Sequence, residues 1–114
     1  MLFRSLTNVP TTADIAHSEI FGPVVAIQTF ATEDEGIAMA NDTPFGLAAY
    51  VFAGDTGRAL TIAERIEAGM VAINKGTISD PAAPFGGVKE SGVGREGGME
   101  GIDEYLEPKY ISLL

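Results

Sequence analysis

Residues 92–97 read Gly-Val-Gly-Arg-Glu-Gly, the spacing G-x-G-x-x-G that lets a backbone approach the pyrophosphate of a dinucleotide. That function requires a strand before the first glycine and a helix after the last one. Here the polar residues Lys89, Glu90 and Ser91 precede the pattern, and a further glycine, Gly98, follows it. Because neither flank has the required character, the sequence does not predict a dinucleotide site at these glycines.

Side chains suited to nucleophilic or metal chemistry are scarce. The 114 residues include no cysteine and one histidine, His17. Disulfides, thiolate zinc sites, cysteine nucleophiles and histidine-based metal clusters are therefore excluded within this sequence, and no metal is predicted. His17 stands beside Ser18, and we interpret it as a surface or hydrogen-bonded side chain.

The composition indicates one globular domain with a modest core, since 46% of the residues are hydrophobic and 20% are charged. A net charge of −9 opposes binding to nucleic acid and to anionic membranes, which both attract basic surfaces. No apolar run approaches the roughly 18 residues of a membrane helix. The first residues also lack the apolar segment of a secretory signal. A cytoplasmic location is therefore predicted.

The first half of the chain predicts strands and one capped helix. Residues 2–9 favour a short strand, and residues 24–30, which are β-branched and apolar, favour a clearer one. The sequence Thr32-Glu-Asp-Glu35 is typical of a capping box, in which Thr32 caps a helix and Glu35 reaches back to the Thr32 amide. This helix is expected to extend to about Asn41.

The second half continues the alternation. Residues 47–52 predict a strand that is buried on both faces. Asp55 is expected to cap a helix that runs through Glu67, with Gly69 supplying a left-handed turn at its end. Residues 70–74 favour a third strand in this βαβαβ order. The fold class predicted is α/β, with right-handed crossovers.

Residues 75–101 have no helical or strand periodicity and contain most of the glycines. A long irregular segment in a compact domain is usually functional or disordered. Residues 105–114 resemble a strand again, although Pro108 would remove one backbone donor and place it at an edge.

Four ordered motifs resemble the C-terminal portion of the aldehyde dehydrogenase superfamily, and together they cover essentially the whole chain. The resemblance implies that residues 1–101 form the C-terminal part of the catalytic domain and that residues 102–114 form an oligomerisation strand. The motifs are the stretch from Glu19 to Val24, residues 41–49, residues 69–74, and the glycine-rich residues 84–98.

Within this family, residues 76–79 and the tail at residues 101–110 look most similar to succinate-semialdehyde dehydrogenases. The resemblance implies an NAD- or NADP-dependent oxidation of succinate semialdehyde to succinate by a homodimer or homotetramer. The family's cysteine nucleophile, glutamate base, asparagine oxyanion donor and Rossmann-type domain all lie upstream of the matching region. The chain alone is therefore expected to be an inactive C-terminal fragment. Two alternatives remain: a non-catalytic assembly module of the same fold, or a dehydrogenase for another aldehyde.

The resemblance also implies cofactor contacts. Glu19 matches a glutamate whose carboxylate accepts hydrogen bonds from the ribose hydroxyls on the nicotinamide side, and two carboxylate oxygens suit a vicinal diol. Phe21 matches an aromatic residue beside the nicotinamide. The alternatives are a surface acid for Glu19 and simple core packing for Phe21. The family usually has a second acid where this chain has Ser18.

Substrate contacts follow in the same way. Ser79 matches a serine that helps to hold the distal carboxylate of succinate semialdehyde, and Phe85 matches an aromatic wall of the aldehyde tunnel. The alternatives are a serine that serves only a turn and a phenylalanine that fills the domain's own core. Gly86, Gly87, Gly92 and Gly94 are expected to permit positive φ. Arg95 and Glu96 are expected to form a structural ion pair.

Overall fold

The computed structural model describes residues 4–114, so the first two residues of the strand predicted over 2–9 lie outside it. Three 3₁₀ turns, Asp14–Ala16, Lys89–Ser91 and Glu100–Tyr105, accompany the regular elements. The strands and helices are β1 (Arg4–Leu6), β2 (Val24–Ala26), α1 (Glu33–Asn41), β3 (Ala48–Val51), α2 (Thr56–Arg65) and β4 (Met70–Ile73).

The strands form two separate parallel pairs. β1 pairs with β2, and β3 pairs with β4 so that Ala48 lies opposite Met70. The predicted βαβαβ order is confirmed for β2 to β4, but these strands do not form one continuous sheet. Because β1 is the hydrogen-bonded neighbour of β2, the only complete βαβ unit within residues 4–114 is β3-α2-β4.

Both helices begin at the predicted caps. The Thr32 hydroxyl accepts a hydrogen bond from the Glu35 amide at 3.2 Å, and Asp55 accepts one from the Arg58 amide at 2.6 Å. The return bond of the capping box differs from the prediction by one residue: the Glu35 carboxylate accepts from the amide of Ala31, not from that of Thr32. Both arrangements satisfy an amide at the start of the helix that has no partner within it.

The end of α2 departs further from the prediction than its start does. This helix stops at Arg65, two residues before the predicted Glu67. The Asn41 side chain explains the early end, because its amide donates to the Arg65 carbonyl at 2.8 Å and its oxygen accepts from the Glu67 amide at 2.9 Å. One side chain thus takes both a donor and an acceptor that helix continuation would have used.

The buried core is small. Its members lie on α1, on α2 and on the strands of the second pair: Ile37, Val51, Ala59, Met70 and Ala72. Residues 47–52 were predicted to be buried on both faces, but only Val51 of β3 is buried, while Tyr50 is 47% and Phe52 68% exposed. The prediction of two-sided burial is wrong, because within residues 4–114 no second layer covers the face of β3 that carries Ala48 and Tyr50.

The tail beyond Tyr105 is exposed and has no regular secondary structure. Tyr105 itself belongs to the Glu100–Tyr105 turn rather than to the predicted strand. Within residues 4–114, the tail has no hydrogen-bonded strand beside it, so the oligomerisation strand stays a prediction. No helix in the same range is long and apolar enough for a membrane crossing.

Candidate functional site

The glycine-rich loop packs tightly against the β3-α2-β4 unit. The Gly46 carbonyl accepts from the amides of Gly69 (2.9 Å) and Val88 (3.0 Å), and the Gly46 amide donates to the Ser91 hydroxyl at 2.9 Å. A Cβ atom on Gly69 would lie 2.0 Å from the Gly86 carbonyl oxygen. Gly69 is therefore required by a close backbone approach, and the predicted left-handed turn at this residue is wrong.

The other loop glycines fall into two groups, those with a positive φ and those that a close approach of neighbouring atoms requires. Gly92 (φ 124°) and Gly94 (φ 78°) adopt the predicted positive φ. Gly86 and Gly87 do not, and this prediction is wrong for both. Instead, a Cβ atom on Gly86 would meet the Gly94 carbonyl at 2.5 Å, and one on Gly87 would meet the Ser91 side chain at 2.6 Å. Their absent side chains allow the loop to close on itself.

Phe85 is held at the open end of this loop. Its backbone exchanges two hydrogen bonds with Glu96, both 2.7 Å long, and its ring is 37% exposed. Arg95 donates to the carbonyls of Gly87 at 2.8 Å and of Gly94 at 2.7 Å. Within the described residues Arg95 forms no ion pair with Glu96, so the predicted pair is replaced by backbone contacts. A guanidinium has several donors in a fixed plane, which suits it to neighbouring carbonyls.

Lys89 clamps the loop to the helical layer. Its ammonium donates to the carbonyls of Asn41 at 2.8 Å and Thr43 at 3.2 Å, and it pairs with the Glu67 carboxylate at 2.6 Å. The Lys89 backbone has φ of 54°, which a residue with a side chain rarely adopts. Apart from a lysine inside a glycine-rich segment, no sequence pattern indicates these contacts.

We expect Lys89→Met to loosen the loop. The side chain is 24% exposed, and loss of a hydrogen-bonded charge costs about 1–3 kcal/mol when it is partly shielded from water. The amides of Val88 and Ser91 should then exchange hydrogen roughly 10- to 100-fold faster. Lys75→Met is the control, because Lys75 is exposed and carries the same charge. Equal protection in both variants would contradict the clamp.

Glu19 lies on an exposed segment at a second part of the surface. It follows the Asp14–Ala16 turn and lines a cleft with Phe45, Gly46 and Ser91. Phe21, two residues later, is 95% exposed, so within this chain it does not pack in the core. Within residues 4–114 the Glu19 carboxylate has no ion pair, which leaves both oxygens able to accept.

His17 stands two residues before Glu19 and is exposed and hydrogen-bonded, as predicted. Its Nε2 lies 2.5 Å from the Thr11 carbonyl and its Nδ1 lies 3.2 Å from the Asp42 carbonyl. The pKa of His17 is raised above its usual value, mainly by the hydrogen bond to the Thr11 carbonyl and to a smaller extent by the one to the Asp42 carbonyl. No cluster of three potential metal ligands occurs in the part of the chain that the structure describes.

Ser79 lies on the exposed connection after β4. The neighbouring Asp80 performs the turn bonding, since its carboxylate accepts from the Ala82 amide at 2.9 Å. Among the described residues the Ser79 hydroxyl has no hydrogen-bond partner. Ile78 and Asp80 line a small cleft together with Phe85, so Ser79 stands beside the Phe85 cleft. Glu19 and Phe85 line different clefts, but Ser91 lines both the Glu19 cleft and a second cleft lined by Phe85.

These features define a parallel α/β unit with a glycine-rich loop that packs against the ends of its strands. The family model described as "Aldehyde dehydrogenase family" matches residues 5–111. The chain belongs to the aldehyde dehydrogenase family.

Individual relatives agree with this assignment. A succinate-semialdehyde dehydrogenase from Paenarthrobacter nicotinovorans is 55% identical over 108 residues, which are 95% of this chain and 24% of that protein. A glutarate-semialdehyde dehydrogenase from Pseudomonas putida is 53% identical over 108 residues, 95% of this chain and 22% of that protein.

The fold also matches a solved structure. Betaine aldehyde dehydrogenase from Staphylococcus aureus, in complex with NAD+, superimposes with a TM-score of 0.85 at 46% identity, covering 89% of this chain and 20% of that one. The chain therefore spans only about a fifth to a quarter of the length of the proteins it matches.

Proposed function

We propose that this chain is the C-terminal part of an NAD- or NADP-dependent aldehyde dehydrogenase that oxidises succinate semialdehyde to succinate. The observation that carries the proposal is the 55% identity, over 95% of this chain, to a succinate-semialdehyde dehydrogenase. The nicotinamide cofactor, when bound, accepts the hydride. The residues of this chain bind and orient the reactants, and the nucleophile comes from the remainder of the enzyme, since the chain contains no cysteine.

Glu19 and Phe21 serve the cofactor in this proposal. The donor set fits, because the Glu19 carboxylate is exposed on the rim of a cleft and a ribose diol offers two hydroxyls to its two oxygens. Phe21 presents a ring that is 95% exposed in this chain and would cover one side of the nicotinamide. Together they fix the orientation of the ring that accepts the hydride.

Ser79 and Phe85 serve the aldehyde. The Ser79 hydroxyl is exposed and can donate to the substrate's distal carboxylate, because Asp80 has taken over the local turn. Phe85 supplies an apolar wall held rigidly by its two backbone bonds to Glu96. An apolar wall with one directed polar group is the usual composition of a small-molecule site.

Residues 102–105 of the predicted oligomerisation strand (residues 102–114) lie in the Glu100–Tyr105 turn, so its remaining part, residues 106–114, is proposed to pair with another subunit of a dimer or tetramer. Its apolar side chains are exposed in the single chain: Tyr110 is 89%, Ile111 72% and Leu113 91% exposed. Exposed apolar groups concentrated in one segment are typical of a surface that is covered in an assembly.

A second candidate substrate is glutarate semialdehyde, favoured by the 53% identity to a glutarate-semialdehyde dehydrogenase over the same number of residues. It differs by one methylene and keeps the carboxylate that Ser79 would bind. One methylene is worth only about 1–3 kcal/mol in a pocket, so both substrates can share the site.

The 114-residue chain alone should not oxidise succinate semialdehyde with NAD+ or NADP+, whereas the full-length enzyme that contains it should. Reduction of the cofactor is followed by its change in ultraviolet absorbance, with buffer as the blank. Turnover by the purified chain would contradict the proposal that the nucleophile comes from the remainder of the enzyme. Lack of turnover by the full-length protein would favour a non-catalytic assembly module of the same fold.

A further inference from the structure

His17 joins two segments that the backbone does not join. Residues 10–22 form a connection whose backbone hydrogen bonds are all short-range, such as those from Ala13 to Pro10, from His17 to Asp14 and from Val24 to Gly22. Within residues 4–114, the contact between His17 Nδ1 and the Asp42 carbonyl is the one hydrogen bond that links this connection to a segment distant in sequence. The connection carries Glu19, so its position depends on this imidazole.

The geometry requires two donors on the ring. Both nitrogens face carbonyl oxygens, that of Thr11 at 2.5 Å and that of Asp42 at 3.2 Å. Carbonyl oxygens only accept, and a neutral imidazole has a single N–H. The imidazolium form therefore makes both contacts, whereas the neutral form leaves one nitrogen lone pair against a carbonyl.

The surrounding charges favour the imidazolium. The Asp14 carboxylate on the same turn and the Asp42 carboxylate after α1 both act in this direction. Glu19 and Glu67 line the same cleft as His17. The opposing cation is Lys89, whose ammonium contacts the carbonyls on either side of Asp42 and is already paired with Glu67.

We propose that His17 is a positioning residue for Glu19, whose carboxylate is proposed to bind the cofactor. The His17 imidazolium ties the segment that carries Glu19 to the end of α1, beside Phe45 in the cleft wall. The proposal rests on the function proposed above for Glu19. The tie is complete below about pH 6.5, the usual pKa of histidine, and is lost as the pH rises through the raised pKa of His17. The cofactor site is thus more ordered below the raised pKa of His17 than above it.

Nuclear magnetic resonance tests the tie without any catalytic assay. His17 is the only histidine of the chain, so its ring protons are assigned without ambiguity. In the folded 114-residue chain they should titrate above 6.5, and in urea they should titrate near 6.5. A folded-state value at or below 6.5 would overturn the tie, whatever the fate of the proposed function.

Cofactor kinetics of the full-length enzyme test the positioning role. The KM for NAD+ should rise about three- to tenfold through the pKa of His17, while kcat changes by less than twofold. His17→Leu should show the high KM for NAD+ at every pH. His17→Lys, which stays charged and has several donors, should remove the pH-dependent rise in KM. Thr12→Ala is the control and should behave as wild type. Identical pH profiles for wild type and His17→Leu would refute the role. If instead Glu19→Gln leaves both the KM for NAD+ and the rate of hydride transfer unchanged, the cofactor role proposed for Glu19 fails separately.

Discussion

Replacement of Ser79 by alanine in the full-length enzyme is expected to lower kcat/KM for succinate semialdehyde by roughly 10- to 150-fold. A hydrogen bond to a charged group contributes about 1.5–3 kcal/mol, and the Ser79 hydroxyl is exposed and unused by its own turn. The loss should appear only with substrates that carry the distal carboxylate. Butanal should change by less than about threefold.

Specificity separates this role from a structural one. If Ser79 merely shaped the loop, Ser79→Ala would lower activity toward both aldehydes by the same factor. Thr77→Ala is the matched control, because Thr77 is also an exposed hydroxyl residue on the connection after β4. Equal losses on succinate semialdehyde and butanal would remove Ser79 from the substrate site.

Glu19→Gln should impair cofactor positioning and the hydride step. The glutamine keeps the shape of the side chain but replaces one of two charged acceptors by a donor. Loss of a charge-assisted hydrogen bond in a desolvated complex costs about 1.5–3 kcal/mol, or roughly 10- to 150-fold. The loss should fall on the KM for NAD+ and on single-turnover hydride transfer, while aldehyde capture is unaffected.

Glu64→Gln is the control for the change of net charge, because Glu64 is exposed on α2 and lies outside the clefts discussed above. Single-turnover kinetics at saturating aldehyde measure the hydride step directly. An unchanged KM for NAD+ together with an unchanged rate would exclude Glu19 from the cofactor site.

Local features were predictable because their causes lie within a few residues. The caps at Thr32 and Asp55 follow from side-chain oxygens placed three residues before a free amide, and both are present. The parallel pairing of β3 and β4 follows from the capped helix between them. In these elements the sequence spacing alone determines the geometry.

Non-local features were not predictable from spacing. The pairing of β1 with β2 joins residues that are 20 positions apart in the sequence, Arg4 opposite Val24 being the first pair. Gly69 resembles a helix-ending glycine, yet its constraint is the Gly86 backbone, which approaches from a different part of the chain. Lys89 likewise finds partners 46 and 48 residues earlier.

The residues of the candidate site stay a prediction, and their arrangement could not be predicted from the sequence. Family resemblance selects Glu19, Phe21, Ser79 and Phe85, whereas the structure places Glu19 and Phe85 in different clefts. The chain covers only about a fifth to a quarter of the length of its relatives. The supporting contacts of Lys89, Arg95 and His17 involve backbone carbonyls, which no residue-type motif encodes.

The central claim is that this chain is part of a succinate-semialdehyde dehydrogenase. It is tested most directly by comparing two aldehyde substrates in the full-length enzyme. The measurement is kcat/KM for succinate semialdehyde and for butanal, which has the same carbon number without the carboxylate, at saturating NAD+ and again with NADP+. We expect succinate semialdehyde to be preferred at least about tenfold with one of the two cofactors, since a bound carboxylate contributes more than about 1.4 kcal/mol. Equal values for the two aldehydes, or oxidation of neither, would contradict the account.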